Sequence, residues 1–372
     1  MKTKKIISVA FAWWWTGWHV YPVKAIIERL VKTYDKTNID INIYWIWVNN
    51  SLEHKICDSM WLNCVHFVSI STWKFRRWRT MSNIVKNFFD MFLILKWFFD
   101  CIRFFLNTKN LKVVFCKWWY VSLTAWLIWK LFWKKILLHE SDMVWWLSNH
   151  ILQKFSTINY VWFSWSIKNS KHVGQILSSE LTELDNLINL ELKDYKNQTI
   201  VTVSWWSQWS EYVYKMLYKF FKENHSNIFF HFFIILWSRN THFKELFQEF
   251  KFVKTYDFLD TKQMWTLLRK SDIWITRWWA TSLAEMKLFW LNLCIIPLPS
   301  AAQNHQYHNA IYYQKTYSDF LLEQSDKQFV MKLTNRLDNY KAYKKPLNNE
   351  NLNDKINVNL DIIIKDIFHY SK

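Results

Sequence analysis

Phe11-Ala-Trp-Trp-Trp-Thr-Gly-Trp-His-Val-Tyr-Pro22 separates an apolar run, Ile6–Ala12, from an amphipathic helical pattern that begins near Val23. A strand that feeds a helix through a short turn is the unit of a parallel α/β sheet. The turn is where such folds bring backbone N–H groups and a helix N-terminus to an anion. It ordinarily needs glycine, for positive φ or for close backbone approach. Here Trp13, Trp14, Trp15 and Trp18 stand in it instead.

The anomaly recurs at Trp118-Trp119, Trp205-Trp206 and Trp278-Trp279, each beside what reads as a strand-to-loop transition. The chain has 2 Gly and 28 Trp, whereas ordinary usage of about 7% would give roughly 26 glycines at this length. One cause explains both: many of these positions are expected to be Gly in the living protein, because the source reads UGA as Gly and the translation used reads it as Trp. Trp126, between Ala125 and Leu127 in an apolar run, is expected to remain Trp. With glycine restored, the first segment becomes FAGGGTGGHVYP.

Outward from that turn, short apolar runs alternate with longer helical patterns, the signature of βα units and a parallel sheet. The first series of expected strands is Ile6–Ala12, Asp40–Ile46, His66–Ile70, Lys112–Cys116, Lys135–His139 and Asn159–Phe163. A second series comprises Thr199–Ser204, Phe229–Leu236, Phe252–Phe258, Asp272–Thr276, Leu293–Leu298 and Asp319–Leu322. At 372 residues, 51% hydrophobic and 21% charged, the chain has room for two domains with sizeable cores. The expected fold is α/β, two doubly wound Rossmann-like domains facing each other across a cleft. Residues 1–164 form the first, residues 165–335 the second, and residues 336–372 an Asn/Lys-rich tail. Ser164–Asn197, polar and helix-prone, reads as linker plus entry helix. The tail reads either as a poorly ordered end or as a helix packing back on the first domain.

The formal charge of +18 favours an anionic partner, whether nucleic acid, anionic lipid or a phosphorylated substrate. Cys57, Cys64, Cys101, Cys116 and Cys294 form neither a CxxC pair nor a Cys/His ligand spacing, which argues against zinc and against a disulfide framework. The N-terminal lysines run straight into a β-like segment with no small-residue cleavage site, so a first strand is expected rather than a signal peptide. No uninterrupted stretch of 18 apolar residues occurs, and a membrane-spanning helix is not expected. Asn87–Asn107 is apolar over most of its circumference with Lys96, Asp100, Arg103 and Asn107 as one polar stripe, and Lys74, Arg76, Arg77 and Arg79 stand upstream. That pattern suits docking on an anionic membrane surface, and equally a helix buried in the first domain.

Three further segments carry chemistry. Thr202–Ser210, read as TVSGGSQGS, comes after a strand and precedes a helix, so it should build a second anion site, with Ser207 and Gln208 placed for sugar or diphosphate. Ile275–Glu285, read as ITRGGATSLAE, puts Arg277 at a strand end and Glu285 one or two turns into a helix, where a carboxylate can bind ribose hydroxyls. Pro299-Ser-Ala-Ala-Gln-Asn-His-Gln-Tyr-His-Asn309 comes after the last long strand.

Together these segments, in this order and spacing, resemble the MurG family of glycosyltransferases, and the likeness covers roughly residues 5–325. Lys117-Trp-Trp-Tyr-Val-Ser122 resembles that family's GGYVS segment, and the stretch from His139 to Asn149 its HEQN segment with a second Asn beyond it. The resemblance implies a GT-B fold and an inverting transfer of N-acetylglucosamine from UDP-N-acetylglucosamine to the muramoyl 4-hydroxyl of undecaprenyl-linked lipid I. No cofactor and no metal are implied, and no nucleic acid partner. The implied location is peripheral, on the cytoplasmic face of the cell membrane. On the matching positions it makes His19 the candidate base. Thr16, Gly17, Trp18, Ser207, Gln208, Leu259, Arg277, Ala280, Thr281, Ser282, Leu283, Ala284, Glu285, Gln306 and Asn309 become donor-binding, and Tyr120, Asp142 and Asn149 acceptor-side. Two departures bear on the acceptor: Ser141-Asp142 replaces Gln-Asn, and Phe163-Ser164 stands where the family has Asn-Pro. They keep open a related GT-B enzyme with the same donor and another lipid or glycan acceptor. A non-catalytic basic protein is the rival of a different class, and the chain lacks a recognisable nucleic-acid module.

Overall fold

β1 (Lys5–Trp13) is buried on both faces from Ile7 to Ala12, as a central strand of a parallel sheet covered by helices must be. The computed structural model describes residues 5–13, 17–35, 37, 39–49, 51–71, 81–108, 110–117, 132–145, 147–163, 169–178, 181, 198–205, 211–224, 229–237, 240–277, 280–340 and 349–371. After β1 come α1 (Gly17–Tyr34), β2 (Ile39–Trp47), α2 (Leu52–Ser59), β3 (Val65–Ser69), α3 (Met81–Asn107), β4 (Leu111–Lys117), β5 (Lys135–Glu140), α4 (Leu147–Leu152), β6 (Ile158–Val161) and β7 (Ser170–His172). The seven strands lie in the order β3-β2-β1-β4-β5-β6-β7, all parallel.

The second sheet contains β8 (Thr199–Ser204), β9 (Phe230–Ile235), β10 (Val253–Tyr256), β11 (Ile273–Thr276), β12 (Asn292–Ile295) and β13 (Phe320–Leu321). Its order is β10-β9-β8-β11-β12-β13, again parallel throughout. Its helices are α5 (Glu211–Asn224), α6 (Phe243–Gln248), α7 (Thr261–Lys270), α8 (Ala280–Leu288), α9 (His305–Tyr317) and α10 (Phe329–Asp338). On α5, Val213, Tyr214, Leu217, Phe220 and Phe221 are buried. That spacing keeps one stripe on the sheet, where it packs with Phe232, Phe243, Phe247 and Phe250.

Both strand orders reverse direction beside the first strand of their series, between β1 and β4 and between β8 and β11. In doubly wound sheets ligands bind beyond the carboxyl ends of the strands at such a switch point. The chain divides into two compact units accordingly: residues 1–141, 145–179 and 353–372 in one, residues 142–144 and 180–352 in the other.

Two parts of the chain differ from the sequence expectation or decide between its alternatives. The first unit runs on to Ser179, past the boundary placed at residue 164, because Ser170–His172 adds a seventh strand beside β6. Three residues of Ser-Lys-His carry no apolar alternation, so the strand is invisible to pattern reading. It is secured instead from outside the sheet. The tail supplies α11 (Asn349–Ser371), which clusters with the first unit. Ile356, Leu360, Ile363, Ile364 and Ile367 are its buried face. Asp366 accepts from Lys171 Nζ at 2.8 Å and from Tyr160 Oη at 2.9 Å, so the helix holds both β7 and β6. Asp361 receives Arg29 of α1 through two nitrogens at 2.7 and 2.8 Å. At Gly174, φ is +71°, a conformation that favours glycine, and a Cβ would lie 2.6 Å from Asn359 Nδ2, so the Asn359 side chain would have to move for any other residue.

Candidate functional site

In the second unit the switch point is assembled from β8, β11 and the segments that leave their carboxyl ends. β8 ends in a buried hydrogen-bonded layer, with Thr202 Oγ1 2.6 Å from Ser271 Oγ and Trp274 Nε1 donating to Ser204 Oγ at 2.7 Å. The loop beyond it carries Ser207 and Gln208, which lie outside the described residues. β11 delivers Arg277, 5% exposed, whose Nε donates to Ile296 O at 3.2 Å and whose Nη2 donates to Gln324 Oε1. Burial lowers its pKa to about 10, so it remains a cation at neutral pH.

α8 starts directly behind it. Ala280, Thr281, Ser282, Leu283, Ala284 and Glu285 are all buried, so this is a helix packed on every side rather than a surface helix. Glu285 has no hydrogen-bond partner among the described residues, and burial raises its pKa to about 8. A carboxyl left without donors in a desolvated place is suited to receive hydroxyl donors from a ligand.

The next strand contributes α9. Gln306 is buried and its Oε1 accepts from Leu298 N at 2.9 Å, which leaves its NH2 as the end available to a sugar. Gln303 and Asn304, just before the helix, hold positive φ of 51° and 53°. Asn309 is otherwise occupied. Its Nδ2 donates to Asp142 Oδ1 at 2.9 Å and its Oδ1 accepts from Met143 N at 2.8 Å, so both ends of its amide serve the segment Asp142–Val144 that clusters with this unit. The same pairing takes up one oxygen of Asp142, which the sequence placed near the acceptor. Leu259 is buried just ahead of α7, where Asp260 and Gln263 form a reciprocal capping box.

In the first unit, Gly17, Trp18 and His19 form the opening turn of α1 at the end of β1. Nothing beyond this backbone placement is described for the side chains of Trp18 and His19, and Thr16 and Tyr120 lie outside the described residues. The ends of β4 and β5 hold a polar set around Asn149, the residue that the sequence reading assigned to the acceptor side. Lys117 and His139 are register partners, both fully buried. His139 Nε2 is 3.3 Å from Gly174 O, so that nitrogen carries the proton. Burial, with the Lys117 charge second, pushes the pKa of this imidazole well down, and it is neutral. Asn149 donates from Nδ2 to Glu140 Oε2 at 2.9 Å, and Gln175 from Nε2 to Ser141 O at 2.7 Å. No group of three or more His, Cys, Asp and Glu among the described residues is arranged to hold a metal ion.

α3 turns Trp97, Cys101 and Phe105 into the core, while Phe92, Leu95, Phe99 and Leu106 are exposed on the opposite side. Lys96 and Asp100 of the polar stripe bind Ser71, through Oγ at 2.7 Å and backbone N at 3.0 Å. Lys74, Arg76, Arg77 and Arg79 lie outside the described residues. Among the described residues no helix is long and apolar enough to cross a membrane.

Residues 207–363 match the family model of the glycosyltransferase family 28 C-terminal domain. The UDP-N-acetylglucosamine--N-acetylmuramyl-(pentapeptide) pyrophosphoryl-undecaprenol N-acetylglucosamine transferase of Borreliella afzelii is 30% identical over 209 residues. That match covers 55% of this chain and 54% of the relative, about half of its length. The protein of the same name from Buchnera aphidicola subsp. Schizaphis graminum is 25% identical over 363 residues, 92% of each chain. Among solved structures, Acinetobacter baumannii MurG superposes with a TM-score of 0.68 at 15% identity, covering 98% of this chain and 99% of that one. CalG4, the calicheamicin glycosyltransferase, gives 0.65 at 10% identity over 98% of each. At such identities the structural likeness speaks for the fold, and the fold is GT-B: two doubly wound, Rossmann-like domains.

Proposed function

We propose that this chain is a MurG-type N-acetylglucosaminyltransferase, which moves N-acetylglucosamine from UDP-N-acetylglucosamine to lipid I and so forms lipid II for peptidoglycan. What supports this reading is the placement of Arg277 at the end of β11, of Glu285 on α8 directly after it, and of Gln306 on α9 after β12, in segments that leave the carboxyl ends of neighbouring strands of the second sheet. Arg277 faces the diphosphate, Glu285 takes the ribose hydroxyls, and the NH2 of Gln306 takes the sugar. His19 removes the proton of the acceptor 4-hydroxyl as that oxygen attacks the anomeric carbon. The bond to UDP breaks on the far face and configuration inverts, while the two turns and Arg277 stabilise the departing negative charge.

Those turns need small residues, and backbone geometry elsewhere supports reading many tryptophans as glycine. Trp61, Trp133, Trp237 and Trp290 hold positive φ of 50°, 58°, 58° and 58°, a region bulky side chains avoid. Trp290 is the clearest. It lies just past α8, donates its N–H to Lys287 O at 3.0 Å, and the next residue, Leu291, donates to Met286 O at 3.2 Å. That double bond is the Schellman helix end, whose left-handed residue is usually glycine. Peptide mass spectrometry of the native protein tests it: glycine masses at positions 61 and 290 are expected, and indole masses there sink the idea.

The first unit takes the acceptor side, and the exposed apolar side of α3 with Arg103 beside it docks on the anionic cytoplasmic surface of the membrane. Labelled UDP-N-acetylglucosamine offered with lipid I and with other polyprenyl-linked sugars tests the acceptor. Transfer to lipid I above the rest is expected, and preference for another glycolipid overturns that assignment.

A further inference from the structure

The sequence reads Gln175 as part of a polar linker, yet the structure buries it to 1% exposure beside the end of β5. We propose that Gln175, steadied from α11, is a positioning residue for the acceptor: it fixes the peptide that joins Ser141 to Asp142, the rim on which the acceptor sugar rests. The inference rests on the proposed function, which gives the acceptor to the first unit.

The register places that rim. Trp13, the last residue of β1, pairs with Lys117, and Lys117 pairs with His139. The Ser141–Asp142 peptide therefore leaves β5 on the same edge of the sheet as the turn that opens α1 with His19. The two ends are two strands apart, about 10 Å at the usual strand spacing. A sugar with its substituents spans that separation, so a peptide fixed at one end sets where the hydroxyl lies at the other.

Two successive residues of one crossing segment hold this edge. Gly174 O is 3.3 Å from His139 Nε2, and Gln175 Nε2 donates to Ser141 O at 2.7 Å. Ser141 is buried, so its carbonyl needs a donor within the protein. A peptide is planar, and holding that oxygen also sets the direction of the Asp142 N–H and the course of the chain beyond it. The holder is gripped from its other side. Asn359 Nδ2 donates to Gln175 O at 3.4 Å and lies against the Cα of Gly174. Asn359 rides on α11, which Asp361 ties to Arg29 and Asp366 ties to Lys171 and Tyr160. Val173 N donates to Val161 O at 3.1 Å, so the crossing segment starts from the sheet itself.

The test compares Gln175→Met, which keeps the volume and removes the donor, with the unaltered full chain. Transfer rates at varied lipid I, UDP calorimetry and thermal melting are read on both. A positioning role predicts that Q175M raises the KM for lipid I about tenfold, the cost of a misplaced binding rim, while UDP affinity is unchanged. A lipid I KM that stays unchanged in folded Q175M overturns the proposal. A merely structural amide would weaken both substrates together, so an equal loss of UDP affinity overturns it as well. If Q175M does not fold, Asn359→Ala decides. Loss of its weaker grip should raise the lipid I KM about threefold with UDP affinity unchanged, and an unchanged KM overturns the proposal. An unaltered chain that does not transfer to lipid I brings down the functional reading, and this role with it. One that transfers while Q175M does so equally well brings down only the role of Gln175.

Discussion

The two sheets differ in how they treat the polar groups at their strand ends. Beyond β8 and β11, Arg277 and Glu285 are both desolvated and both titrate far from their usual range through burial alone. Beyond β4 and β5, the polar side chains are bonded to one another and to the backbone: Asn149 to Glu140, Gln175 to Ser141, His139 to Gly174. The second unit buries a guanidinium and a carboxyl near its strand ends, and the first orients its polar side chains against one another and the backbone. A nucleotide sugar supplies phosphate charge and ribose hydroxyls, so the contrast is what a donor half and an acceptor half should show.

The largest expected effect lies in the first unit. His19→Ala should lower kcat by about 100-fold or more, the usual contribution of a general base, with little change in donor KM. Equal loss in KM would move His19 from proton transfer to donor binding, and unchanged turnover would remove it from both roles.

Arg277→Ala should weaken UDP by about tenfold to a hundredfold, the worth of a charge-assisted contact of roughly 1.5–3 kcal/mol. Calorimetry reads it, and unaltered affinity would show that the buried cation serves the fold alone.

Glu285 should make donor binding depend on pH. Ribose hydroxyls donate to the ionised carboxylate, yet the free protein holds that proton up to about pH 8. Binding below that pH must expel it. UDP affinity should therefore rise as pH climbs toward 8 and level off above, with Glu285→Gln flattening the curve. An affinity that falls over that range in the unaltered chain contradicts this assignment.

A smaller effect, on stability alone, is expected from Asn149→Ala. It removes the donor to buried Glu140 and should cost about 1–3 kcal/mol in denaturant unfolding. Activity lost with no loss of stability would instead assign Asn149 to the acceptor.

Much of this is legible in the sequence because parallel strands buried on both faces are continuous apolar runs. Thr199–Ser204 reads with its true ends, and β1 within one residue at each end. β7 is not legible, since its place depends on Asp366 far along the chain holding Lys171. Arg277 and Glu285 are legible as a strand end and a helix position eight residues apart. What Arg277 bonds to is not, because Gln324 comes from another element. Asn309 shows the same limit: its helix position suits a sugar contact, and only the fold reveals that Asp142 and Met143 take its amide.

The central claim is a UDP-sugar site built at the second switch point, and calorimetric titration of the full chain, as its source makes it, with UDP-N-acetylglucosamine tests it most directly. Saturable binding with one molecule per chain, competed by UDP and weakened by Arg277→Ala, is the predicted result. Absence of binding by folded protein, or binding that Arg277→Ala and Glu285→Gln both leave untouched, would contradict it.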